Sequence, residues 1–393
     1  MFDTFDRAEI ERLHYHHHAG QAARRVLTPA GFRDATTEIS AWEGYAPTPL
    51  HALDGLAAEL GLGRILYKDE AARFGLGSFK ALGAAYAALR LLRAEIARRR
   101  QTAVSLAEVR AGRYLEEAAG ITLVSATDGN HGRSLAWGCR RFGASCRIYI
   151  HAEVSEGRAA AMRDLGAQVT RIDGDYDESV RLAREAAEAN GWFVVSDTSW
   201  EGYSEPPRDV MTGYGVMVEE VNDLLDSPPS HVFLQGGVGG LAAAVCAALR
   251  QAWGEAAPRA IVVEPDRAAC LLASARADRM TAVPIESETI MAGLSCGEPS
   301  ALAWEILREE ARDFMTIPDA VVAPTARLLA RPLGADPKIE AGESAVAGLA
   351  AAIVAARRPD LRRALGLEEE SVVLVFGSEG ITDPAIYAQM MEG

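Results

Sequence analysis

The sequence predicts an α/β protein built on mainly parallel sheets. Three observations lead there: short continuous apolar runs recur along the chain, amphipathic stretches of helical length separate them, and glycine-rich turns follow several of the runs. Apolar runs without polar alternation fit strands buried on both faces, the situation of strands in a parallel sheet covered by helices.

The runs occupy residues 121–126, 146–150, 168–172, 192–196, 231–235, 260–264 and 371–376. Helical stretches cover 156–165, 177–190, 241–253 and 345–358, each long enough to carry the chain back across a sheet in a right-handed crossover. Asp226-Ser227-Pro228-Pro229-Ser230 is the clearest break, and Ser204-Glu205-Pro206-Pro207 reads as a second.

Composition narrows the function classes. At 393 residues the chain can form two compact lobes, and 49% hydrophobic with 24% charged residues is ordinary for a globular enzyme. With 40 basic against 55 acidic side chains the net charge is −15, which argues against nucleic acid as a partner. No run approaches the ~18 apolar residues of a membrane span and no basic segment leads into an apolar one at the N-terminus, so a membrane is not expected and the cytoplasm is the expected compartment. Cys139, Cys146, Cys246, Cys270 and Cys296 are odd in number and show no Cys-x-x-Cys spacing, which points to reduced thiols. His14, His16, His17 and His18 lack a spaced partner set, and no metal site is expected.

Four segments carry chemistry. In Arg73-Phe74-Gly75-Leu76-Gly77-Ser78-Phe79-Lys80, a lysine follows a small-residue turn at a helix start, where it is poorly placed for ordinary solvation. Such an amine condenses with an aldehyde when its surroundings lower its pKa. Gln235-Gly236-Gly237-Val238-Gly239-Gly240 joins an apolar strand to an Ala-rich helix, so backbone amides and the helix N-terminus can seat a phosphate without a basic side chain. No Gly-Lys-Ser/Thr follows, which excludes a Walker loop. Ser125-Ala126-Thr127-Asp128-Gly129-Asn130-His131-Gly132 and Phe376-Gly377-Ser378-Glu379-Gly380 also follow strands. Asp197 closes the 192–196 run, where the C-terminal end of a parallel strand faces a ligand crevice.

In this order the segments resemble the fold-type II pyridoxal-phosphate (PLP) enzymes, the group of threonine dehydratase and the tryptophan synthase β subunit. Within that group the chain looks like the diaminopropionate ammonia-lyases. That likeness rests on Lys68-Asp69-Glu70 with Arg73-Phe74-Gly75-Leu76, Asp197-Thr198-Ser199-Trp200-Glu201-Gly202-Tyr203, Met291-Ala292-Gly293-Leu294-Ser295-Cys296-Gly297-Glu298-Pro299 and Thr382-Asp383-Pro384. The resemblance implies two lobes, each a mainly parallel twisted sheet covered by helices. Residues 1–74 and 206–393 would form the larger, PLP-binding lobe and 75–205 the smaller.

It further implies site roles. Lys80 would hold pyridoxal 5'-phosphate covalently with Phe79 beside it, and Asn130 would meet the cofactor's 3′-hydroxyl. Gly236, Gly237, Val238, Gly239 and Gly240 would seat the phosphate, Glu343 would lie near the ring, and Ser378 would meet the pyridine nitrogen. Asp128 and Asp197 would remove Cα protons from substrates of opposite hand, with Ser78 and Thr127 also at the substrate. A hydroxyl at the pyridine nitrogen does not hold the ring protonated, which favours expulsion of a β-substituent over transamination. The implied reaction is α,β-elimination of 2,3-diaminopropionate to pyruvate and ammonia by a homodimer acting on a small amino acid.

The alternatives are a dehydratase, lyase or β-replacement synthase for another 3-substituted alanine such as serine, threonine or 3-hydroxyaspartate, and a non-catalytic sensor. Lys80, Asp128 and Asp197 together argue against the sensor, which needs no α-proton base. Three segments depart from the family pattern: Gly77-Ser78 and Ala341-Gly342-Glu343-Ser344-Ala345 keep small side chains, whereas Thr325-Ala326-Arg327 keeps the basic residue but loses a glycine and a methionine, which bears on substrate range.

Overall fold

The computed structural model describes residues 2–16, 20–127, 129–174 and 176–392. Its strands are β1 (Arg12–His14), β2 (Leu50–Ala52), β3 (Arg64–Asp69), β4 (Thr122–Ala126), β5 (Ser145–Ile150), β6 (Gln168–Arg171), β7 (Phe193–Val194), β8 (His231–Gln235), β9 (Arg259–Pro265), β10 (Ala311–Ile317) and β11 (Val372–Gly377). The helices that matter for the site are α1 (Lys80–Arg100), α2 (Asn130–Phe142), α3 (Glu156–Asp164), α4 (Tyr176–Asn190), α5 (Glu205–Asn222), α6 (Gly240–Trp253), α7 (Cys270–Ala277) and α8 (Ala347–Arg357).

The chain divides into two compact units. One comprises Met1–Pro29, Pro47–Ser78 and Met217–Gly393, the other Ala30–Ala46 and Phe79–Val216. The larger unit holds a seven-stranded sheet in the order β1-β10-β9-β8-β11-β3-β2. Its five inner strands run parallel, and β1 and β2 close the edges antiparallel. β8 is buried along its whole length, and α8 presents no polar side chain before Arg357, so both sink into the core beside Val373 and Val375. The smaller unit holds a four-stranded, all-parallel sheet in the order β6-β5-β4-β7.

Several expectations need correction. The 168–172 run is β6, an edge strand exposed at most positions rather than buried on both faces. The 192–196 run keeps only Phe193–Val194 as strand, because it is the other edge and pairs with β4 alone. Ser204-Glu205-Pro206-Pro207 is no break: α5 starts at Glu205, and two prolines in the first turn are tolerated because those amides have no intrahelical acceptor. The sequence reading missed β3 and β10, whose Lys68 and Asp313 interrupt the apolar runs yet are wholly buried.

Candidate active site

In the smaller unit the site begins where Phe79 caps α1 and Lys80 opens it. The Phe79 ring packs on Tyr214 of α5 at 4.6 Å between centroids. Lys80 Nζ lies 5.4 Å from the first ring centre and 5.8 Å from the second, held in part by their quadrupoles. It donates to Asp197 Oδ2 at 2.5 Å. His131 approaches the same oxygen, with Nδ1 at 3.8 Å. The other ring nitrogen, Nε2, stands 2.9 Å from the Val195 carbonyl, and since a carbonyl only accepts, Nε2 carries a proton. Burial pushes the Asp197 carboxyl up, but the charges of Lys80 and then His131 outweigh it and hold the group well below the usual carboxylate range.

The local chain explains these positions. β7 ends at Val194, the Val195 amide still donates to Val124 at 2.9 Å, and Asp197 follows in a bend where the Thr198 amide donates to Ser196 Oγ at 3.1 Å. Asn130 and His131 occupy the first turn of α2, and Thr127 Oγ1 accepts from the Gly129 amide at 3.3 Å. Asp128 lies outside the described residues.

In the larger unit the turn after β8 leads into α6. Gly237 and Gly239 have φ of +56° and +94°, conformations that L side chains rarely adopt. The amides of Gly236 and Gly239 donate to Val263 and Gly236, at 2.7 and 3.0 Å. Among the described residues no carbonyl takes the amides of Gly237, Val238 and Gly240. Under the turn, Glu264 accepts from the Leu271 and Leu272 amides at 2.8 Å each, at the start of α7, and burial pushes its carboxyl up to about 8 against those donors.

Around it, Gln235 Nε2 donates to the Ala345 and Phe376 carbonyls at 2.9 and 2.6 Å, tying the 341–345 segment to the ends of β8 and β11. Glu379 Oε1 accepts from the Ser344 amide at 3.2 Å, and Glu343 and Ser378 are both buried. Ser78 bridges antiparallel to Glu379, and the Gly380 amide donates to Gly77 at 3.0 Å. The approach to Lys80 is anchored further back by a buried ion cluster. Arg73 grips Glu70 through Nε and Nη2 at 2.8 Å each and Glu220 through Nη1 at 2.7 Å, while Lys68 Nζ donates to Glu220 at 2.6 Å. Each charge is paired, as burial demands.

A family model described as "Pyridoxal-phosphate dependent enzyme" matches residues 41–378. Diaminopropionate ammonia-lyase of Escherichia coli (strain K12) is 40% identical over 356 residues, 88% of this chain and 88% of that protein. The crystal structure of the Escherichia coli enzyme in complex with D-serine matches at TM-score 0.88 and 36% identity, covering 98% of this chain and 97% of that one. Its complex with an aminoacrylate-PLP azomethine reaction intermediate matches at TM-score 0.87 and 34% identity with the same coverage.

The chain belongs to the pyridoxal-phosphate dependent enzymes, in the diaminopropionate ammonia-lyase family. Its fold is that of the fold-type II members, and its cofactor is pyridoxal 5'-phosphate. Each unit has donors that fit that group: in the larger, a glycine turn with open amides for a phosphate and a buried hydroxyl at Ser378; in the smaller, a lysine set between aromatic rings and against the Asp197 carboxylate.

Of the expected residues, Phe79, Lys80, Thr127, Asn130 and Asp197 thus lie in the smaller unit, where Lys80 meets Phe79 and Asp197, and Ser78, 236–240, Glu343 and Ser378 lie in the larger. Sequence reasoning gave no role to His131, although it stood inside a quoted motif. Tyr214 left no signal, being one aromatic residue in a long helix.

Proposed function

We propose that the protein catalyses α,β-elimination of 2,3-diaminopropionate to pyruvate and ammonia. The observation that carries this reading is the pairing of Lys80 with Asp197 in a chain 40% identical, over 88% of its length, to a diaminopropionate ammonia-lyase. Bound here, pyridoxal 5'-phosphate supplies a conjugated sink for the negative charge left at the substrate Cα. Lys80 would hold the cofactor covalently through its ε-amine. The amides of Gly237, Val238 and Gly240 would hold the phosphate, Asn130 the 3′-hydroxyl and the Ser378 hydroxyl the pyridine nitrogen, and Glu343 would lie near the ring.

Asp197, held ionised across the neutral range, takes the Cα proton of the L isomer, and Asp128 that of the D isomer. Ser78 and Thr127 line the substrate. Lys80, having taken a proton from the incoming substrate's α-ammonium, passes it as an ε-ammonium to the departing β-amine. The freed enamine then hydrolyses, so one diaminopropionate and one water yield one pyruvate and two ammonia.

A second reading is elimination from serine, which the solved complex of the Escherichia coli relative with D-serine favours. Among the described residues no helix is long and apolar enough to cross a membrane. We place the protein in the cytoplasm as a homodimer: five cysteines without Cys-x-x-Cys spacing support the compartment and the family resemblance the assembly. The test is to incubate PLP-loaded protein with L- and D-diaminopropionate, serine, threonine and 3-hydroxyaspartate and to measure pyruvate or 2-oxobutyrate. Diaminopropionate should be turned over fastest; a higher kcat/KM on serine would replace the first reading with the second.

A further inference from the structure

We propose that Tyr203 is a positioning residue for Asp197, its hydroxyl fixing the stretch of backbone from which the carboxylate reaches Lys80. The inference rests on the reading that Asp197 serves the reaction.

β7 pairs on one side only, with β4. On that inner side the Val195 amide donates to Val124 at 2.9 Å and the Val195 carbonyl accepts from His131 Nε2 at 2.9 Å. Backbone groups alternate along an extended chain, so the Val194 carbonyl and the Ser196 amide point to the outer edge, where among the described residues no strand follows. The Tyr203 hydroxyl takes both: it donates to the Val194 carbonyl at 3.0 Å and accepts from the Ser196 amide at 3.0 Å. One side-chain oxygen thereby does for residues 194–196 what a neighbouring strand would do, and the next residue is Asp197.

A second set of contacts fixes the hydroxyl itself. The segment Trp200-Glu201-Gly202-Tyr203 is a tight turn closed by reciprocal backbone bonds, Trp200 amide to Tyr203 carbonyl at 3.2 Å and Tyr203 amide to Trp200 carbonyl at 3.0 Å. Gly202 stands at its third position with φ +82°, which a residue with a Cβ adopts at a cost. The Trp200 and Tyr203 rings stack at 4.1 Å and 14°, and the Arg184 guanidinium covers Trp200 at 4.3 Å. The phenol therefore has little freedom, and neither has the backbone it holds. Its single proton is committed to Val194, so Tyr203 is not an acid for the reaction; it acts through Asp197.

The test uses the holoenzyme and three variants, Tyr203→Phe, Asp197→Asn and the double variant, on L-diaminopropionate. Tyr203→Phe keeps the ring and its stack and removes only the oxygen. Displacing a reacting group by about 1 Å costs up to about a hundredfold in rate, and partial loosening should lower kcat about tenfold with KM within about twofold. In the Asp197→Asn background the same change should cost nothing further, because a residue that acts through Asp197 has nothing left to act on. Gly202→Ala, whose Cβ meets nothing within 4 Å and so disturbs the turn only through φ, should reproduce the loss if Tyr203→Phe folds poorly. A kcat within about twofold of the parent in both Tyr203→Phe and Gly202→Ala overturns the inference, as does an equal loss with and without Asp197. A normal rate for Asp197→Asn alone marks instead the failure of the reading beneath it.

Discussion

Gly239→Ala probes the phosphate seat most sharply, since the cost can be worked from the turn itself. Gly239 has φ +94°, and an L residue in the left-handed region is disfavoured by about 1–2 kcal/mol. An added Cβ would also stand 3.1 Å from Ala303 Cβ, 3.2 Å from Leu307 Cδ1 and 3.3 Å from Leu271 Cδ2, so its neighbours must yield by a few tenths of an ångström. Together these come to about 2 kcal/mol. The free protein relieves the strain by letting the turn deform, but open amides at Gly237, Val238 and Gly240 serve a phosphate only in the undeformed turn. The relief is lost on binding, and Kd for pyridoxal 5'-phosphate should rise about thirtyfold at about 1.4 kcal/mol per tenfold. Titration of the apoprotein, followed by cofactor absorbance, measures it. Gly366→Ala is the control: it has φ +72°, its nearest neighbour is Arg259 Nη1 at 3.9 Å, and it lies at the end of the helix Pro359–Leu365. That change should lower thermal stability and leave Kd alone. An unchanged Kd in Gly239→Ala would place the phosphate elsewhere.

Lys80→Ala should abolish turnover and the borohydride-reducible bond to the cofactor together; a bond that survives, located by peptide mass, would name another lysine. Asp197→Asn should depress kcat on L-diaminopropionate by at least about a hundredfold and spare the D isomer, and Asp128→Asn should do the reverse; equal losses on both isomers would defeat the assignment of one base to each hand. Asp209, pushed up to about 6 by burial against the opposing charge of Arg90, binds its proton more tightly folded than unfolded. Its contribution to stability is therefore greatest below the ordinary 3.8 and is lost as pH rises through about 6, by at most about 3 kcal/mol. Asp209→Asn should remove that part of the decline, which denaturant melts at pH 4 and pH 7 will show.

Much of this was legible because the segments that carry chemistry are local. A glycine turn between an apolar strand and a helix declares itself in consecutive residues, as 236–240 does, and so does the small-residue approach to Lys80. What stayed hidden depends on residues distant in sequence. Glu220 lies 147 residues from Arg73 yet closes its ion cluster. β3 did not read as a strand because it carries Lys68, whose charge is tolerated in the core only through Glu220 and the Thr48 carbonyl. The outer edge of β7 is completed by a side chain rather than a strand, so the 192–196 run looked like one long strand although only two residues of it pair as such. Prolines at 206–207 misled because the same residues that end a helix also start one.

The ratio of ammonia to pyruvate released from L-2,3-diaminopropionate by the PLP-loaded protein tests the central claim most directly. Elimination followed by hydrolysis of the enamine gives two ammonia for each pyruvate, without any second amino-acid or nucleophilic substrate. Pyruvate formed with a single ammonia, or diaminopropionate consumed without pyruvate until a nucleophile is added, would contradict it.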